Sequence, residues 1–284
     1  MIRLTYIWHD CFLLQWAGGS VVFDYWTEPG TKRGMRPSFM RDIDPGKPLY
    51  VVVSHHHKDH YSTEIFNWAA MFPHIHYILS GDTAHTARPY ITPDSLYKGA
   101  KADPETVSVI TPGGSVDFGE VWIRAFGSTD IGNSYLLEVA GRRIFHAGDL
   151  NAWLWKDEST PAEIEEAMEA YMGILEEIAE VAPEIDICMF PVDSRIGRDY
   201  FTGAREFVRT IDVRHFFPMH FALGDEEERR IRTRDALRFS LYANPDRGDY
   251  IGLTAPGAAF AERRRQKQRF CELKGLSKSE AKRS

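Results

Sequence analysis

The sequence predicts an α/β fold with mixed sheets and helices on the outside. Three observations carry that expectation. Short aromatic and β-branched runs crowd the first 25 residues and recur over 106–147. The first long helical period starts only at residue 161. Beyond residue 185, strands and helices alternate.

Taken in order, runs at 3–8, 12–16 and 21–25 read as a β-meander, with Ala17-Gly18-Gly19-Ser20 as its second turn. Residues 27–48 are rich in Gly, Pro and Arg, have no period, and read as a long loop. Leu49-Tyr50-Val51-Val52-Val53 is continuously apolar, the pattern of a buried strand. Ser62 is placed to cap a helix reaching about residue 70, with Ile65, Phe66 and Ala69 on one face. Residues 75–79 read as a strand, and 81–104 give no clear pattern. Strands follow at 106–110, 116–118, 121–126, 135–139 and 142–146, with turns at Gly113-Gly114 and Ala140-Gly141. The helix at 161–181 has the clearest start: Thr160 as N-cap, Pro161 in the first turn, and Glu163 three residues past the cap. Ile164, Met168, Tyr171, Leu175 and Ile178 repeat at helical spacing and predict core packing. A strand at 185–190, a helix at 203–211, a strand at 214–218 and a helix at 226–241 complete the order. The expected organisation is one domain over 1–260 and a basic tail or terminal helix over 261–284.

Of the 284 residues, 43% are hydrophobic and 26% charged, as in soluble globular proteins. No apolar run approaches the roughly 20 residues of a membrane helix, so no membrane is expected as partner. Met1-Ile2-Arg3-Leu4-Thr5 lacks the pattern of a secretory signal. Cys11, Cys188 and Cys271 are widely spaced, which argues against a disulfide framework and for a cytoplasmic location. Net charge is −7. From Ala261 to Ser284, nine Lys/Arg oppose three Glu, a net +6 that leaves −13 on the rest. An acidic body argues against nucleic acid as partner. The tail reads as a solvated end, with a basic arm for RNA or acidic lipid as the competing reading.

The chemistry concentrates in Ser54-His55-His56-His57-Lys58-Asp59-His60, which holds four of the chain's eleven histidines. It follows the apolar strand at 49–53, and a polar loop at a strand end is where α/β proteins place their sites. Imidazole and carboxylate at this density suit a borderline divalent metal. Two later segments repeat the pattern of an apolar strand ending in a polar residue: Ile144-Phe145-His146-Ala147-Gly148-Asp149 and Phe216-Phe217-Pro218-Met219-His220.

Together with the opening Trp8-His9-Asp10-Cys11-Phe12-Leu13-Leu14, these segments resemble the metallo-β-lactamase-fold hydrolase superfamily. Within it, the chain looks most like the branch around L-ascorbate-6-phosphate lactonase and related metal-dependent hydrolases. The resemblance implies an αββα sandwich: two mixed sheets with helices on the outer faces and a metal site at one edge. It implies that His55 and His57 hold a first metal, that Asp59, His60 and His220 hold a second, and that Asp149 bridges them. The family's third first-metal histidine is missing, since the matching region reads Ala125-Phe126-Gly127-Ser128-Thr129-Asp130. Asp130 and His146 are the substitute or supporting candidates, and a weaker first site is expected.

One or two divalent ions are therefore the expected cofactor, zinc first, with manganese or iron compatible with an all N/O set. The expected activity is hydrolysis of a small anionic metabolite (a lactone, ester, amide or phosphoester) by a metal-bound hydroxide, with Asp59 orienting the nucleophile. Arg195 and Arg198 are candidate anion clamps. Trp153, with Trp155, is a candidate pocket wall, and His9 a candidate substrate contact. A homo-oligomer is compatible with the sequence. The competing readings are a nuclease of the same superfamily and a non-catalytic metal-binding protein.

Overall fold

The computed structural model describes residues 2–32 and 34–243. The basic tail predicted over 261–284 lies outside them. Two six-stranded sheets face each other. In the first, β1 (Arg3–Trp8), β2 (Cys11–Gln15) and β3 (Ser20–Phe23) form the predicted antiparallel meander. β4 (Leu49–Val53), β5 (Ile75–Leu79) and β6 (Val107–Val109) then add in parallel. The second sheet runs antiparallel through β7 (Ser115–Asp117), β8 (Val121–Phe126), β9 (Ser134–Val139) and β10 (Arg142–His146). It continues in parallel through β11 (Glu184–Pro191) and β12 (Asp212–Met219). Both sheets are mixed, as expected.

The period of two on a strand explains the layering. Along β4, Tyr50 and Val52 join the core shared with the second sheet, while Leu49, Val51 and Val53 face the opposite layer. That layer is closed by α1 (Gly81–Ile91) and by 3₁₀ turns at Ser38–Asp42 and Thr63–Ala70. α2 (Pro161–Val181), α3 (Thr202–Thr210) and α4 (Glu226–Ala243) cover the second sheet. The result is the αββα sandwich. Among the described residues, no helix is long and apolar enough to cross a membrane.

α2 begins where its signals place it: Thr160 and Glu163 exchange the two hydrogen bonds of a capping box. Two local expectations need correction. The predicted helix after Ser62 is 3₁₀, and Ile65 and Trp68 bury at a spacing of three, as side chains of a 3₁₀ run eclipse. The unreadable stretch at 81–104 contains α1, which Ser80 caps. α1 buries only Thr83 and Ala87 and carries Pro89, so it shows little apolar period.

Candidate metal centre

Six chain segments deliver side chains to one edge of the sandwich. The β1–β2 turn brings His9 and Asp10, the end of β3 brings Asp24, and the loop after β4 brings His55, His57, Asp59 and His60. The β8–β9 loop brings Asp130, the loop after β10 brings Asp149, and the end of β12 brings His220. Glycine makes the close approach possible. At Gly148 (φ 53°) a Cβ would lie 2.7 Å from Ser54 Cβ and 2.8 Å from the Asn133 carbonyl oxygen.

Asp149 sits at the centre. Its Oδ2 lies 3.5 Å from His55 Nε2, and its Oδ1 lies 3.2 Å from His60 Nε2 and 3.3 Å from His220 Nε2. Two donor clusters result, each with its atoms within 4.8 Å of one another: His55, His57, Asp130 and Asp149, and His9, Asp10, His60 and His220. Asp130 thus stands beside the first histidine pair, its Oδ2 3.3 Å from His57 Nδ1.

The outer contacts fix which imidazole nitrogen faces inward. His60 Nδ1 donates to Asp24 Oδ2 at 2.9 Å, and His220 Nδ1 to Asp193 Oδ2 at 2.9 Å. His55 Nδ1 lies 3.0 Å from Ser54 Oγ, whose hydroxyl donates to Asp24 Oδ2 at 2.6 Å. In all three, the outer contact engages Nδ1 and turns Nε2 toward the centre, the arrangement of metal-ligating histidines. His56 faces the other way and ties the loop to Asp82 through both its backbone N–H (2.8 Å) and its Nδ1 (3.0 Å).

A divalent cation fits this edge on one decisive observation. Five buried acceptor atoms converge here with no hydrogen-bond partner: both Asp10 carboxylate oxygens, His55 Nε2, His60 Nε2 and Asp149 Oδ1. Buried polar atoms are otherwise almost always paired, and a bound ion is one of the few things that resolves such a group. The electrostatics agree. Burial alone would lower His60 and His220, yet the Asp149 and Asp10 carboxylates outweigh it, raising His60 well above the usual range and His220 to about 9. Burial alone would raise Asp149, but His60 and His220 hold it well below the usual carboxylate range. With neither partner sufficient, burial lowers His55 to about 4.

The remaining sequence candidates take distinct places. Asp59 is partly exposed on the open side, its Oδ2 3.4 Å from His9 Nε2. His146 is fully committed: Nε2 donates to the Asp10 carbonyl oxygen at 2.9 Å, Nδ1 accepts from the Gly148 N–H at 3.2 Å, and the ring stacks on Phe23. It supports the site and belongs to neither donor cluster. Arg195 is bound to Asp193, with Nε 2.6 Å from Oδ2, and its Nη2 lies 3.2 Å from His220 Nδ1. Arg198 is exposed. Trp153 donates from Nε1 to the Asp149 carbonyl at 2.7 Å, and its ring lies 5.3 Å from that of His220. Sequence reasoning missed Asp10, Asp24 and Asp193. The last two obey the rule that located Asp149, a carboxylate just past an apolar strand; Phe23-Asp24 and Val192-Asp193 carry that signal.

Fold and donor arrangement together define a two-sheet metallo-hydrolase scaffold with its metal edge at the strand ends. The chain belongs to the beta-lactamase superfamily: the family model described as "Beta-lactamase superfamily domain" matches residues 3–166, more than half its length. Among solved structures, Igni18, a novel metallo hydrolase from the hyperthermophilic archaeon Ignicoccus hospitalis, is 14% identical, with 90% of this chain and 96% of that one covered and a TM-score of 0.55. CmlA, a diiron beta-hydroxylase from Streptomyces venezuelae, is also 14% identical, with 85% of this chain and 51% of that one covered and a TM-score of 0.54. At these identities the likeness is one of fold. No curated protein matches.

Proposed function

We propose that this chain is a metal-dependent hydrolase of a small anionic substrate: a lactone, ester, amide or phosphoester. The observation that carries the reading is Asp149, with one carboxylate oxygen toward His55 and the other toward His60 and His220. A carboxylate with its two oxygens turned to separate histidine sets would serve two ions. His55, His57, Asp130 and Asp149 would hold the first, and His60, His220 and Asp149 the second, with Asp59 beside it. Divalent ions held there supply an acidified water and a Lewis acid for the substrate oxygen.

The chain's own residues would do the rest. Burial opposes ionisation of Asp59, but the His9 contact outweighs it and holds the carboxyl well below its usual range. Asp59 is therefore an ionised acceptor at neutral pH, placed to orient the attacking water. Arg195 keeps Asp193 on His220 and places positive charge near Asp59 and Asp149, which favours an anionic substrate. Trp153 forms an apolar side of the site and holds the Asp149 backbone in place. Buried free thiols at Cys11 and Cys188 are consistent with a cytoplasmic location. Zinc is the first candidate ion. The carboxylate-rich donors also suit manganese or iron.

One observation favours a second reading, iron-dependent oxygenation: the first cluster pairs two histidines with two carboxylates, Asp130 and Asp149. Activity assays on chelator-stripped and metal-restored protein decide between the two. Metal-dependent turnover of a lactone, ester or phosphoester panel, lost in Asp59→Ala, supports hydrolysis. Iron-dependent oxygen consumption without hydrolysis overturns it.

A further inference from the structure

The two-residue turn between β1 and β2 is built unlike an ordinary hairpin turn. Trp8 pairs with Cys11, so the turn consists of His9 and Asp10 alone. Two-residue turns favour Asn and Gly, and they normally lie at the surface. Here both residues are fully buried, and His9 holds a left-handed φ of 56°. Strained, buried polar backbone of this kind persists where surrounding structure requires it.

The two side chains play different parts. The Asp10 carboxylate accepts no hydrogen bond on either oxygen. Its Oδ2 lies 3.6 Å from His60 Nε2. With His60 to Asp149 at 3.2 Å and His220 to Asp149 at 3.3 Å, three of the separations among Asp10, His60, His220 and Asp149 fall in one narrow range. Donors around a zinc ion at about 2.0–2.2 Å in tetrahedral geometry stand roughly 3.3–3.6 Å apart. His9 has the opposite tautomer to the other histidines. Its Nδ1 accepts from the Ala222 N–H at 3.3 Å, so its proton sits on Nε2. That Nε2 lies 3.2 Å from Asp10 Oδ2 and 3.4 Å from Asp59 Oδ2. A protonated nitrogen has no lone pair for a metal.

We propose that Asp10 is a ligand of the second ion, alongside His60, His220 and Asp149, and that His9 stays outside the coordination sphere, its Nε2–H facing the Asp10 and Asp59 carboxylates. The inference rests on the two-ion reading above. It would give the second ion a further carboxylate, where the first has Asp130 in place of a histidine.

Zinc titration of the stripped full chain against a chromophoric competitor tests it. Wild type should show one tight equivalent. Asp10→Asn should weaken that equivalent at least tenfold, while Asp130→Asn leaves it unchanged. Asparagine mimics a protonated carboxyl, so if Asp10 is only a buried neutral acid, Asp10→Asn binds zinc like wild type and the inference falls. His9→Gln should bind more tightly than His9→Ala, because the glutamine N–H can replace the imidazole donor. Equal, complete loss in both would make His9 a ligand and overturn its assignment. Should Asp10→Asn fail to fold, a zinc-loaded wild-type crystal structure decides: an Asp10 oxygen at about 2.0–2.2 Å from the ion supports the inference, and one beyond 3 Å overturns it. Wild type with no tight equivalent overturns the two-ion reading itself, an outcome distinct from an unaffected Asp10→Asn.

Discussion

Asp24 Oδ2 lies 2.9 Å from His60 Nδ1, and through this contact a carboxylate at the end of β3 sets the metal-facing nitrogen of a histidine 36 residues away. The same carboxylate accepts the Ser54 hydroxyl and backbone N–H, and Ser54 Oγ in turn meets His55 Nδ1. One buried group therefore orients a histidine in each donor cluster. Asp24→Asn should lower zinc affinity about 10–100-fold while leaving the number of equivalents unchanged. Competition titration reads both quantities.

Proton uptake and metal binding oppose each other. In the metal-free chain, Asp149 and Asp10 override burial and hold a proton on His220 up to about pH 9. Zinc binding near pH 7 should therefore release protons, and titration calorimetry in two buffers of different ionisation enthalpy would count them. Stability without metal should run the other way. A histidine raised above its unfolded value of about 6.5 contributes stability that is complete below pH 6.5 and is lost as pH rises through about 9. The denaturation midpoint of the stripped protein should fall across that window, while the stabilisation given by added zinc grows.

Gly148 holds the chain in a left-handed turn between His146 and Asp149, close against Ser54 and Asn133. Gly148→Ala should destabilise the fold by about 1–3 kcal/mol, from the disfavoured φ and the overlap with neighbouring backbone. Chemical denaturation gives the value. Metal affinity should fall as well, because Asp149 follows directly.

Asp130 is the acidic residue beside His57 where the family resemblance leads one to expect a histidine. Asp130→Asn should weaken the first ion and spare the second. A cobalt titration separates the two by their distinct visible absorption.

Much of this centre is legible in the residue order. The density of His55, His57, Asp59 and His60 needs no partner to be noticed, and Asp149 and His220 follow from polar residues past apolar strands. The two sheets are legible for the same reason, since strand periodicity survives wherever one face is buried. What stayed hidden depends on tertiary contact. Asp24 and Asp193 act on histidines 36 and 27 residues away, a link that no local pattern carries. Asp10 reads as part of a turn until its burial is known. α1 was hidden because Pro89 and two small buried side chains leave no hydrophobic stripe.

Among the described residues, Asp149 alone faces histidines of both donor clusters, His55 in one and His60 and His220 in the other. Zinc titration of stripped Asp149→Ala beside wild type shows whether that carboxylate serves both. Both equivalents should weaken by at least tenfold in the variant, with the metal-free fold retained. One equivalent still bound at wild-type affinity would mean that Asp149 serves a single ion.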